Sequence, residues 1–173
     1  MASSSLVITK TKPISDCGTV SFYISIGLLS SDFIKNADAL NGYLVAPIVS
    51  FEIKNRRISK NLTPEPDHFL NMISEFTLPK FPNGDKILQY ALNAMPEQGG
   101  THVFMFNLTQ HRIDRKEKVH ELVLNSEGDI CLNTRYFKDY EQTSFPMLET
   151  HLSRYLKFLY VEYPSFVRIK ING

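Results

Sequence analysis

Reactive and structural specialists are scarce in this chain. Only Cys17 and Cys131 are present among 173 residues, too few for the disulfide framework of a small secreted domain, so the thiols suit a reducing compartment. No uninterrupted apolar stretch approaches the ~18–20 residues a membrane span requires, which leads us to expect no transmembrane segment. The opening MASSSLVITKTKP lacks the basic start and apolar stretch of a secretory signal. A cytoplasmic protein is expected on these grounds. Neither sign of charge dominates: 19 basic and 18 acidic residues leave a formal charge of +1. With no overall field to recruit nucleic acid or an anionic membrane, such binding would have to come from a local patch.

What is present is ordinary globular material. The content is 43% hydrophobic and 21% charged, near the average for folded domains and unlike disordered or fibrous chains. A chain of this length buries roughly two-thirds of its unfolded surface without metal or disulfide help. The expected fold class is α+β: a single domain over residues 1–173, with a mixed, mostly antiparallel sheet covered by about four helices. The Pro-rich stretch 77–84 marks a possible subdivision.

Apolar spacing places the elements. A short edge strand is expected at Leu6–Lys10. Val20, Phe22, Ile24 and Ile26 alternate with Ser21 and Ser25, the pattern of a half-buried strand. Ser30-Ser31-Asp32 offers caps to a helix carrying Phe33, Ile34, Ala37 and Leu40. Val49, Phe51 and Ile53 predict a strand over Ile48–Lys54. Thr63-Pro64 suggests the start of a helix striped by Phe69, Leu70, Ile73 and Phe76. Asn83 is placed to cap a further helix with Ile87, Leu88, Ala91, Leu92 and Met95 on one side. The second half predicts a strand at HVFMFNL, a hairpin of KVHELVLN and ICLN around Ser126-Glu127-Gly128-Asp129, a helix through Leu148–Leu159, and a closing strand FVRIKI with Val167, Ile169 and Ile171 inward.

Signatures of bond-making chemistry do not accompany these elements. A nucleophile elbow, G-x-S-x-G, is absent. The histidines at 68, 102, 111, 120 and 151 are scattered without H-E-x-x-H or H-x-H spacing, so no metal is predicted. Gly99-Gly100 follows a helix and leads into a strand, the reverse of a phosphate-cradling order. No cofactor is expected. Cys131 falls mid-strand, where a thiol usually packs. His102 and His120, on strands read as adjacent, are the imidazoles best placed to meet.

Binding features are easier to find. Lys54, Arg56, Arg57 and Lys60 lie within seven positions without a carboxylate, in a stretch read as a loop between strand and helix. This cluster is the candidate contact for an anionic surface or RNA. The second basic group, His111, Arg112, Arg115, Lys116 and Lys118, is diluted by Asp114 and Glu117 and reads as the tip of a long hairpin. Tyr136, Phe137 and Tyr140 occupy an irregular stretch and are candidates for an exposed apolar patch that meets a protein partner.

From Asp85 to Lys157 the order of helix, Gly100-Thr101 entering a strand, KVHELVL, the SEGD turn, ICLNTRYF and the helix TSFPMLETHLSRYL resembles an SH2 domain. The resemblance matches His120 to the histidine of that family's phosphotyrosine pocket. It places Met105 near the family's essential arginine, so it implies at most a degenerate peptide-binding module. FYISIGLLSSDFIKNADALNGY is similar to a strand and helix of rhabdovirus matrix proteins, without their basic tail or PPxY motif, and implies an assembly component. Together these features predict a non-enzymatic structural or adaptor protein that binds another protein or copies of itself. The alternatives are a degenerate SH2-like module, an anionic-surface binder through residues 54–60, or a small hydrolase or transferase whose groups converge without a motif.

Overall fold

The computed structural model describes residues 2–12, 21–36, 46–108, 110–112, 118–120, 122–133, 151–159 and 169–171. The fold is α+β, and the chain divides into two compact units, Ala2–Asn107 and Leu108–Gly173. The stretch 77–84 lies inside the first of them.

The first unit is built on a five-stranded sheet in the order β4-β3-β2-β1-β5. Its strands are β1 (Ala2–Thr11), β2 (Ser21–Ser30), β3 (Ile48–Lys54), β4 (Arg57–Asn61) and β5 (Gly100–Leu108). The first four form an antiparallel meander. β5 returns from far along the chain to lie beside β1. It also runs antiparallel, since Thr9 meets Thr101 while Gly99, earlier in the chain, sits against Lys10. A Cβ on Gly99 would fall 2.7 Å from the Lys10 carbonyl oxygen, and its φ is +96°, so space and backbone conformation both call for glycine there.

Alternation sends one set of side chains to a covered face. Leu6 and Ile8 stand opposite Leu28 and Ile26, and Ile26 and Ile24 stand opposite Val49 and Phe51. All are buried. Each such side chain removed from water contributes about 1.5–3 kcal/mol. The covering layer is α2 (Pro66–Glu75) and α3 (Gly84–Asn93), whose Leu70, Ile73, Ile87 and Ala91 join the same core. β1 is therefore an interior strand between β2 and β5, not the edge strand its short apolar run suggests.

Local chemistry sets the helix starts. The Ser30 hydroxyl accepts from the Phe33 N–H at 3.1 Å, opening α1 (Ser31–Asn36); the expected continuation to Ala37 and Leu40 lies outside the described residues. Asn83 caps α3 by accepting from the Lys86 N–H at 3.0 Å. At α2 the first-turn proline is Pro66, not Pro64. Thr63 is drawn away from capping because its hydroxyl accepts from the Ser50 N–H at 3.0 Å.

In the second unit, β6 (Gln110–Arg112) pairs with β7 (Lys118–His120), and β8 (Leu122–Leu124) pairs with β9 (Ile130–Leu132). Asn125 organises the β8–β9 turn, its side-chain oxygen accepting from the N–H groups of Glu127 and Asp129, both at 2.9 Å. The described part of the last helix is α4 (Leu152–Leu159). The expected closing strand does not form over its described end. Ile169–Ile171 has no strand assignment, and Ile169 is 47% exposed rather than inward. Alternation gives a segment a face but supplies no neighbour to bond with.

Candidate functional site

The face of the five-stranded sheet opposite α2 and α3 is organised in rows by strand register. One row consists of hydroxyls: Thr9 stands opposite Ser25 and Ser25 opposite Ser50. The Ser25 and Ser50 hydroxyls are 2.9 Å apart, and Thr9 reaches Thr101 of β5 at 3.3 Å. These polar groups satisfy one another along the sheet. The next row is Val7, Gly27 and Ile48, and beyond it Ser5 stands opposite Leu29. On β5, Val103 and Met105 follow Thr101 on the same side. Leu29, Ile48, Val103 and Met105 are 58%, 56%, 59% and 40% exposed. The result is a surface with an apolar half and, past the hydroxyls, a charged border where Glu52 stands opposite Lys60.

That border contains the basic cluster, and its setting is a hairpin rather than a loop. Arg57 and Lys60 belong to β4, whose residues are all exposed. Asn55 and Arg56 form the two-residue turn, both with positive φ, 50° and 59°. Part of the charge is neutralised locally. Lys54 lies 3.0 Å from Glu52, and Arg56 pairs with Glu97. The cluster of Lys54, Arg56, Arg57 and Lys60 thus has two acidic neighbours, neither within its own seven positions. Tyr136, Phe137 and Tyr140, the other candidate binding residues, lie outside the described residues.

A second concentration of side chains lies between α3 and β5. Phe81 makes edge-to-face contacts with Tyr90 and Phe104 at 5.6 and 5.4 Å between centroids, and Phe106 adds to the stack. Lys80 Nζ stands 5.3 Å from the Phe104 ring. Tyr90 Oη and His102 Nδ1 are hydrogen bonded at 2.8 Å. Burial holds the Tyr90 hydroxyl above its ordinary pKa, which favours the neutral phenol and suits a structural bond better than proton release at neutral pH.

His102 and His120 do not share a sheet: β5 pairs with β1, and β7 with β6. Cys131 is half-buried in β9, its Sγ 3.6 Å from the Val123 carbonyl oxygen. Its bridge partner is His151. Among the described residues, no three His, Cys, Asp or Glu side chains gather as a metal site, and no helix is long and apolar enough to cross a membrane.

The sheet's open face was the feature hardest to see in the sequence. Its signal was present in the second alternation set, Val7 with Thr9 and Ser25 with Gly27 and Leu29, but four strands must be aligned before those residues become one surface. No protein-family model, curated protein or solved structure matches the chain.

Proposed function

We propose that this is a non-enzymatic assembly protein that works by associating with copies of itself through its five-stranded sheet. The observation that carries this reading is the open sheet face, where Leu29, Ile48, Val103 and Met105 are exposed together. Scattered surface apolar residues are ordinary, whereas several on one sheet face beside self-satisfied hydroxyls form a surface whose desolvation costs little. The ion-paired Lys54 and Arg56 make the anionic-surface alternative the weaker one, since a phosphate would have to compete with Glu52 and Glu97.

The test is molar mass by light scattering across a wide concentration range, for the natural chain and for a Leu29→Glu, Ile48→Glu double variant. Both positions are exposed, so the variant keeps its fold. The natural chain's mass should rise with concentration and the variant's should rise less. A natural chain that stays monomeric at every concentration contradicts the reading.

A further inference from the structure

The two edges of the five-stranded sheet are built differently. β4, at one edge, carries Arg57 and Lys60, exposes every residue and meets β3 with a register shift between Glu52 and Ile53. Charges and irregular pairing are the usual devices that keep an edge from adding strands. β5, at the other edge, runs for nine residues, GTHVFMFNL, without Lys, Arg, Asp, Glu or Pro. Its two sides are both apolar: Val103 and Met105 are exposed on one, and the Phe104 and Phe106 rings are half-buried on the other. Among the described residues, β1 is its single strand neighbour.

We infer that two copies of the chain join edge to edge through β5, antiparallel about a twofold axis at Phe104, making one continuous sheet across both. This rests on the self-association reading above and adds a contact at the sheet edge, one that Leu29→Glu and Ile48→Glu, on β2 and β3, leave intact. A twofold contact uses the same patch on both partners, so the strand must be complementary to itself. β5 meets that condition. Phe104 is the midpoint of Gly100–Leu108, so pairing about it overlaps the extended stretch His102–Phe106 that precedes Asn107, where φ turns to 51°. Val103 then stands opposite the second copy's Met105, and His102 opposite its Phe106. No charged side chain faces another. The Phe104 rings meet near the axis, continuing the aromatic stack of Phe81, Tyr90 and Phe106 into the partner. Aromatic and apolar cross-strand pairs of this kind are the units that stabilise an antiparallel ladder.

The register makes the inference testable in the full chain. With Cys17→Ser and Cys131→Ser as background, Val103→Cys protein is mixed with Met105→Cys protein under mild oxidation. In the closer, non-hydrogen-bonded kind of pair, opposed Cβ atoms approach to about 4.5 Å, the upper end of disulfide range, so the mixture should cross-link several-fold more than either protein alone. It should also exceed Val103→Cys mixed with Ile58→Cys, which places one thiol on β4. A separate Val103→Lys variant, altered at an exposed position, should keep its circular dichroism and lose its dimer mass. A dimer that persists in Val103→Lys, or that lacks the preferred 103–105 cross-link, overturns edge pairing and leaves self-association standing. A natural chain that is monomeric throughout overturns both, as does a monomer that instead takes up an extended apolar peptide along β5.

Discussion

The Asp129 carboxylate closes the first turn of α4 through Ser153, accepting from its hydroxyl at 2.5 Å and from its backbone N–H at 3.2 Å. A hairpin residue thus does for this helix what a cap usually does from within its own segment. Asp129 is 9% exposed, and those donors fix its carboxylate against the helix.

Removing that carboxylate should loosen the second unit. Burial alone raises the Asp129 pKa, but the Ser153 hydroxyl, the N–H groups of Ser153 and Ile130 and the charge of His151 outweigh it and hold the value below the ordinary carboxylate range. A native pKa below the unfolded one means the contribution is present above the unfolded value and disappears as pH falls through the native one. Asp129→Asn should cost about 0.5–2 kcal/mol at neutral pH, the usual range for a lost cap. It should also flatten the acid limb of stability. Urea unfolding across an acid pH series checks both, and an unchanged acid limb would contradict the assignment.

Gly84 should resist substitution for a steric reason. A Cβ there would lie 2.6 Å from Leu70 Cβ and 3.0 Å from the Leu70 carbonyl carbon, so the glycine permits the approach of α3 to α2. Gly84→Ala gains helix propensity of at most about 1 kcal/mol and incurs overpacking of typically about 1–3 kcal/mol. The net should be a loss, seen as a lower midpoint in urea. A stabilised variant would mean that the helices separate freely.

The β3–β4 turn predicts the opposite sign. Arg56 holds φ at 59°, a conformation that costs a side-chain-bearing residue roughly 1–2 kcal/mol and that glycine adopts readily. The Arg56 pair with Glu97 is exposed on both sides, and such pairs contribute about 0–1 kcal/mol. Arg56→Gly should therefore be neutral to stabilising in thermal unfolding. A clear loss of stability would show that the ion pair anchors the hairpin.

Legibility of the fold followed the strength of local signals. Ile48–Lys54 was readable end to end because Val49, Phe51 and Ile53 are buried in strict alternation. Asn83 was readable because a capping side chain preceded an apolar stripe. β4 was not, since every one of its residues is exposed and no apolar period marks it. The neighbours of β1 were not readable either: Thr9 meets Thr101 across 92 positions, and a strand's own pattern does not name its partner. The open face inherits that difficulty, since Leu29, Ile48 and Val103 become one surface only after β2, β3 and β5 are placed. The hairpin around Asn125 was legible from its turn residues, whereas its tie from Asp129 to Ser153 joins groups 24 positions apart.

Amide hydrogen exchange at low and high protein concentration probes the central claim, that copies of the chain meet along the β5 edge of this sheet, most directly. The account predicts that amides of Gly100–Leu108 become more protected as concentration rises, while those of Arg57–Asn61 at the charged edge exchange at the same rate throughout. Identical exchange in β5 at both concentrations would contradict it.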